Sequence, residues 1–457
     1  MERERNTIAR KQLTQRHCYH KIVERTVVEE ERLLPMAANY DNDLKQVTGH
    51  SRRRNATKRP EQENQEFPRL RTQEEGDPFA AAQQPERLFS DALWLRDACQ
   101  CPQCVDQSTR QKLFQSSDIP FNVKAKVVAQ TDAEIEVAWE NDLPAYGSDH
   151  ISTYQISLLS THNPSTGRDS EVFSTEDPKT SLKLWGNAEL AESLKSIEFA
   201  DYQASEDAVF EALKQLRLYG IVLLKGAPLN ESSVETIAHR IGHLRETFYG
   251  RTWDVKSVPQ AKNVAYTNQY LGFHMDLLYM SDPPGLQMLH CLKNTCTGGT
   301  SMFSDAFKAT RQLREEETVN GHYNVLSTYP QTFHYKNAGE YYKFTRPVIS
   351  HHGRGGSLEF VNWSPPFQAP FQSEDYQPAS FLQYIKAAKA FSALVEAPEN
   401  VYEYRMQEGD CIIFNNRRIL HARQRFDTAS GERWLKGAYL DTDVFNSRYR
   451  TLQERAR

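Results

Sequence analysis

The chain has 457 residues, 39% of them hydrophobic and 25% charged, with a formal net charge of -5. That length suggests two or three domains with ample core, the mild acidity gives no reason to expect nucleic acid as a partner, and no apolar run approaches the ~20 residues that span a membrane. Seven cysteines, three of them clustered, fit metal binding in a reducing compartment better than a secreted disulfide framework. The cytoplasm is the expected location and the mitochondrion the alternative.

In chain order, residues 1–82 are rich in Arg, Glu, Gln and Asn without a sustained apolar period, and are expected to form a disordered extension. The acids Glu2, Glu4 and Glu24 argue against a transit peptide. A small β domain is expected over 83–187. Its signature is Cys99-x-Cys101-x-x-Cys104, whose thiolates can reach one Zn(II) but leave a tetrahedron one ligand short. His150, the only histidine between Cys104 and His162, supplies the natural fourth ligand. Between them, residues 133–139 alternate with the period of a half-buried strand.

The third segment, 188–457, carries mixed signals. Residues 182–197 read as a connector. Apolar spacing predicts a helix over 210–218 that stops at Gly220, then a buried strand over 221–224. Hydroxyls at Ser232 and Ser233 stand as caps for a helix over 234–244. Further strands are expected at 286–292, 411–414 and 434–439, and further helices at 306–317 and 381–395. Many strands, many turns and few crossover helices point to a mainly β, α+β domain: an antiparallel double-stranded β-helix, or jelly roll.

Within that domain His274-Met275-Asp276 reads His-x-Asp. On an extended strand, residues i and i+2 leave the same face, so imidazole and carboxylate would enter one cavity. A second histidine would complete the two-His, one-carboxylate set that holds non-haem Fe(II) with positions open. His421, beyond a turn at 408–410 and the apolar strand 411–414, is the candidate.

Several motifs then recur in a fixed order: Leu-Trp-Leu-Arg-Asp before the cysteines, Phe-Tyr-Gly-x-Thr-Trp, Asn-Val-Ala-Tyr-Thr, His-x-Asp, Pro-Pro-Gly-x-Gln, Thr-Gly-Gly, the distal histidine and Gly-Ala-Tyr. Together they resemble the γ-butyrobetaine and trimethyllysine dioxygenase family of Fe(II)/2-oxoglutarate oxygenases, from about Leu88 to Tyr449. The resemblance implies a zinc domain before a jelly-roll catalytic domain, with His274, Asp276 and His421 on iron. It implies Arg433 and, more loosely, Ser301 on 2-oxoglutarate, and Tyr249, Trp253, Tyr266 and Tyr439 around a trimethylammonium group. Asn263 and Asn362 match amides near the substrate carboxylate. Cation–π attraction supports such a cage independently, because a quaternary ammonium has no N–H to donate.

The implied reaction couples O2 and 2-oxoglutarate, giving succinate and CO2, to hydroxylation of C3 of γ-butyrobetaine, with ascorbate in support and a homodimer as the assembly. Trimethyllysine 3-hydroxylation and oxidation of another cationic or amino-acid substrate of secondary metabolism are the alternatives. The chain departs from the family where Ala422-Arg423 replaces Gly-Arg, and in the run from Asn362 to Phe367.

Overall fold

The computed structural model describes residues 92–156, 182–257, 267–316, 321–352, 358–371 and 378–456; the extension expected over 1–82 lies outside them. The chain divides into two compact units, Met1–Tyr154 and Gln155–Arg457.

The first unit holds the helix Ala92–Asp97, the cysteine loop and a sheet of three strands in sequential order: β1 (Lys124–Gln130), β2 (Glu134–Glu140) and β3 (Ile151–Gln155). The alternation expected at 133–139 is realised in β2, where Ile135, Val137 and Trp139 are buried. Trp139 donates its indole N–H to Ser152 Oγ at 2.8 Å, so the buried ring keeps a polar partner.

Among the described residues of the second unit, sixteen strands follow. They are β4 (Ser196–Glu198), β5 (Ile221–Lys225), β6 (Thr252–Lys256), β7 (Leu271–His274), β8 (Leu286–Asn294), β9 (Thr297–Gly298), β10 (Ser301–Asp305), β11 (Gln331–Asn337), β12 (Glu340–Arg346), β13 (Ile349–His351), β14 (Leu358–Val361), β15 (Val401–Tyr404), β16 (Cys411–Asn415), β17 (Ile419–Arg423), β18 (Phe426–Asp427) and β19 (Arg433–Leu440). Two large sheets dominate, one ordered β4-β5-β16-β8-β19-β6 and the other β15-β10-β17-β7. Their strands pair antiparallel except β4 with β5.

Period-2 alternation sends each strand of the larger sheet to two different layers. Val222, Leu224, Met288, Ile413, Ala438 and Leu440 pack against the helices Glu206–Tyr219, Ser233–Ile241 and Thr442–Arg455. Their neighbours Ile221, Leu223, Leu289, Ile412, Phe414 and Leu435 face the other way, onto Phe303 of β10 and Ile419 of β17. The Phe303 and Phe414 rings meet edge-on, centroids 5.6 Å apart. Two mainly antiparallel sheets with flanking helices thus enclose a layer between them, the arrangement expected from the strand-rich sequence.

Gly220 ends the helix Glu206–Tyr219 with φ of 75°, a left-handed position that favours glycine. Three expectations are corrected. The connector at 182–197 contains the helix Asn187–Ser193, which buries Leu190 in the inter-sheet core, and β4, which pairs with β5. Neither Ser232 nor Ser233 caps the helix Ser233–Ile241: Ser232 donates to Asn230 Oδ1 and Ser233 to Pro228 O, both at 2.8 Å. Finally, β7 stops at His274, so Asp276 lies past the strand's end and is placed by other means.

Candidate active site and metal centres

His274 and His421 are register partners across β7 and β17, so the two imidazoles start side by side, with ring centroids 4.1 Å apart. Asp276 Oδ1 lies 3.4 Å from His274 Nε2 and 4.0 Å from His421 Nε2. One ligand atom from each residue falls within 4.8 Å of the others. His274 Nδ1 sits 2.8 Å from Gly272 O. Donating there leaves the Nε2 lone pair directed at the cluster, the tautomer a metal ligand needs. Burial and neighbouring His274 push the His421 imidazole down to about 3, so it is neutral with a lone pair to offer. Burial disfavours charge on Asp276, but both histidines and Tyr439 outweigh it and hold the carboxyl well below its usual range. Two lone pairs and a carboxylate oxygen converge at a point that no protein cation occupies among the described residues, which fits a divalent ion.

Asp276 beyond the strand's end is held by Asn416, a fully buried residue of the β16–β17 turn. Asn416 Oδ1 accepts from Asp276 N–H at 2.8 Å, and Asn416 Nδ2 donates to Asp276 O at 3.0 Å and Pro284 O at 3.1 Å. The preceding Met275 N–H donates to Trp363 O at 2.8 Å. Sequence reading passed over Asn416, because nothing in Phe414-Asn415-Asn416 separates a positioning amide from an ordinary turn residue.

A cavity opens beside the three residues, lined by Trp253, Gln287, Ser301, Phe303, Arg423 and Arg433 among others. Arg433, the first residue of β19, is buried (5% exposed), and its Nε donates to Gly299 O at 3.3 Å. No carboxylate pairs with it among the described residues, and burial pushes its pKa down to about 10. A buried guanidinium without an anion is costly, so the position suits a carboxylate-bearing ligand. Ser301, the first residue of β10, lies in the same wall. Arg423, which the sequence reading left unassigned, also lines the cavity while donating to Thr267 O and Gln269 O at 2.8 and 2.7 Å.

The candidate cage residues are partly assembled. Trp253 stacks on Tyr439 with centroids 3.9 Å apart and planes at 24°, and the Tyr439 hydroxyl donates to Asp276 Oδ2 at 2.6 Å. Tyr249 joins a group of rings with Phe248 and Tyr335, its hydroxyl 3.4 Å from that of Tyr279. Tyr279, three residues past Asp276, was missed as a neighbour of this wall. Tyr266 and Asn263 lie outside the described residues. Asn362 is fully buried, and its amide is engaged within the protein: Nδ2 donates to Pro347 O at 2.8 Å and Ser350 Oγ at 2.9 Å, while Oδ1 accepts from Arg417 at 2.9 Å. Both its N–H groups are therefore committed before any substrate arrives.

In the first unit His150, immediately before β3, meets the three cysteines. Its Nε2 lies 3.6, 3.3 and 3.4 Å from the sulfurs of Cys99, Cys101 and Cys104. Bonds of ~2.3 Å to sulfur and ~2.0–2.1 Å to nitrogen place tetrahedral Zn(II) ligand atoms about 3.5 Å apart, so the four fit one ion. Behind His150, Asp142 Oδ2 holds Nδ1 at 2.6 Å, and Arg96 Nε donates to Asp142 Oδ1 at 2.5 Å. Ser152 Oγ and Arg96 Nη1 donate to the sulfurs of Cys99 and Cys104 at 2.8 and 3.3 Å. This is the carboxylate–histidine arrangement that orients metal-bound imidazoles. Without a cation, burial and the Cys99 sulfur push the Cys104 thiol up to about 12; a bound divalent ion reverses that preference. Asp142 escaped the sequence reading because a lone aspartate before a turn carries no metal signature.

The family model for taurine catabolism dioxygenase TauD, TfdA matches residues 180–439, and the model for the γ-butyrobetaine hydroxylase-like N-terminal domain matches residues 86–159. Dioxygenase str8 of Strobilurus tenacellus is 39% identical over 376 residues, covering 79% of this chain and 84% of that protein. The γ-butyrobetaine dioxygenase of Pseudomonas sp. (strain AK-1) is 32% identical over 79% of this chain and 90% of its own length. The trimethyllysine dioxygenase of Meyerozyma guilliermondii is 29% identical over the same shares of the two chains.

Proposed function

Because the chain belongs to the taurine catabolism dioxygenase TauD, TfdA family, we infer that it is an Fe(II)- and 2-oxoglutarate-dependent oxygenase that hydroxylates C3 of γ-butyrobetaine to give L-carnitine. The two facing sheets are read as its double-stranded β-helix. His274, Asp276 and His421 would hold Fe(II), and Cys99, Cys101, Cys104 and His150 a structural Zn(II). Bound iron would supply the activation of O2, coupled to oxidative decarboxylation of 2-oxoglutarate to succinate and CO2.

The remaining work belongs to the chain's own side chains. Arg433 offers a planar fork to the distal carboxylate of 2-oxoglutarate, with Ser301 beside it. Its burial means that the pair forms out of water, where a charge-assisted bond discriminates strongly against a neutral analogue. The Trp253 ring, which lines the same cavity and is backed by Tyr439, would offer aromatic surface to a cation, worth ~0.5–2 kcal/mol per desolvated ring. Holding the trimethylammonium there would fix which substrate carbon faces the metal-binding residues. The observation that carries this reading is that stack, which adjoins Asp276 through the Tyr439 hydroxyl.

A second reading, an oxygenase of another cationic or amino-acid substrate, has two supports. The identity to Dioxygenase str8, 39%, exceeds the 32% to a γ-butyrobetaine dioxygenase. The Asn362 amide is also committed to Pro347, Ser350 and Arg417 and so offers no donor to a substrate carboxylate. Trimethyllysine 3-hydroxylation stands between the two. One experiment separates all three: purified protein with Fe(II), ascorbate and 2-oxoglutarate is given γ-butyrobetaine and trimethyllysine in parallel, and the product masses are read. One added oxygen on γ-butyrobetaine supports the first reading; succinate formation stimulated by neither compound moves the assignment to the second.

A further inference from the structure

The polar end of Tyr439, a candidate cage residue, is turned to the metal-binding residues. Its hydroxyl donates to Asp276 Oδ2 at 2.6 Å, while the other oxygen, Oδ1, faces both histidine Nε2 atoms. The carboxylate is thereby divided: one oxygen has a protein donor, the other has the prospective metal. The Tyr439 ring is buried, and stacking on Trp253 restricts where the phenol can swing. The peptide that carries the carboxylate is fixed independently, because Asn416 accepts from Asp276 N–H and donates to Asp276 O. Such two-sided capture of a backbone unit replaces the strand pairing that β7 abandons at His274.

We propose that Tyr439 and Asn416 are positioning residues for the metal centre, together making Asp276 a one-oxygen ligand through Oδ1 and keeping a coordination position open that a two-oxygen carboxylate would fill. The proposal rests on the assignment of His274, Asp276 and His421 as metal ligands and adds to it a role for two residues that would not touch the ion. It also gives Tyr439 two functions: its ring backs Trp253, and its hydroxyl orients the carboxylate. Outer groups that hydrogen-bond a metal's ligands change metal affinity by about 10–100-fold when removed, and that is the scale expected here.

The test is a titration of the purified, zinc-loaded full chain with Mn(II), with free ion read by electron paramagnetic resonance. Wild type is compared with Tyr439→Phe, Asn416→Asp, Tyr404→Phe and Asp276→Ala. Tyr439→Phe keeps the ring and deletes one oxygen; it should weaken Mn(II) about 10–100-fold while zinc content stays at the wild-type level. Asn416→Asp keeps an acceptor for Asp276 N–H but loses the donors to Asp276 O and Pro284 O, and it should weaken Mn(II) as well. It serves as the second probe should Tyr439→Phe fold poorly. Tyr404→Phe, whose hydroxyl donates to Asp410 Oδ2 at 2.8 Å, a carboxylate outside both candidate metal clusters, should bind Mn(II) as wild type does. In Co(II)-loaded protein, the visible absorption of Tyr439→Phe should also change, because freeing Oδ2 alters the coordination number. Mn(II) affinity of Tyr439→Phe within twofold of wild type overturns the proposal, as does an equal loss in Tyr404→Phe. Undiminished binding by Asp276→Ala would instead overturn the ligand assignment beneath it.

Discussion

Gly437 pairs directly with Trp253 across β19 and β6, and the indole lies over it. A Cβ at residue 437 would stand 2.4 Å from Trp253 Cε2, 2.5 Å from Cζ2 and 2.7 Å from Nε1. Contact between carbon atoms is comfortable at ~3.5–4.0 Å, so Gly437→Ala forces the ring back by about 1 Å. Trp253 stacks on Tyr439 at a centroid distance of 3.9 Å, and the displacement breaks that registry. Overpacking of this kind costs about 1–3 kcal/mol of stability. Loss of one ring's cation–π contribution, ~0.5–2 kcal/mol, corresponds to roughly 2- to 30-fold weaker binding of a trimethylammonium group. Gly437→Ala should therefore raise KM for γ-butyrobetaine by that factor and lower Tm. KM for 2-oxoglutarate should stay within twofold, since Arg433 begins the same strand and does not touch Gly437. The neutral isostere of γ-butyrobetaine, with carbon in place of nitrogen, should be affected less than the cation. A Gly437→Ala variant with wild-type Tm and wild-type KM for γ-butyrobetaine would falsify the claim that Trp253 is held against Tyr439 for the substrate's sake.

Three further outcomes are expected. Arg433→Gln leaves a carboxylate without its charged partner and should raise KM for 2-oxoglutarate by at least about 30-fold, the lower end of 2–5 kcal/mol for breaking a buried charge pair; an unchanged KM would remove Arg433 from the co-substrate site. Cys101→Ser should reduce bound zinc and lower Tm, and Asp142→Ala should weaken zinc about 10–100-fold with all four ligands intact; elemental analysis finding no zinc in freshly purified, unchelated wild type would end the zinc reading. In competition binding, wild type should prefer γ-butyrobetaine to its neutral isostere by about tenfold or more if several rings contribute, and equal affinities would rule out an aromatic cage.

Local signals explain what was legible in the sequence. The unbroken apolar run Cys411-Ile412-Ile413-Phe414 marks a strand, and β16 is that strand, with Cys411 and Ile413 in one core layer and Ile412 and Phe414 in the other. Gly220 marks a helix end because few other residues enter the left-handed region cheaply, and the helix Glu206–Tyr219 stops there. The two candidate metal clusters were legible for a different reason. Cys-x-Cys-x-x-Cys and His-x-Asp are short-spaced donor sets, each one ligand short of a small set of donor chemistries, and the structure brings the distant His150 to Cys99, Cys101 and Cys104, and the distant His421 to His274 and Asp276. Connector residues 182–197 and the serines Ser232 and Ser233 were misread because their competing partners, β5, Asn230 and Pro228, are chosen by tertiary packing or by one turn's geometry.

Tyr439 was expected only for its ring, and the contacts that support the metal clusters were illegible because their partners are remote. Asp142 is 46 residues from Arg96, Asn416 140 from Asp276, and Tyr439 163 from Asp276. No periodicity reports such contacts; they depend on register. Strand β19 sends Ala438 and Leu440 to the helix layer and Tyr439 toward Asp276. A slip of one residue would exchange those faces and bury a phenol among aliphatic side chains. What pins the register is steric as well as hydrophobic: only a residue without a side chain can lie beneath the Trp253 indole, so Gly437 must sit opposite Trp253. Gly-Ala-Tyr is therefore one device. Its glycine admits the indole, its alanine fits the helix layer, and with both in place the tyrosine hydroxyl meets the carboxylate beside His274 and His421.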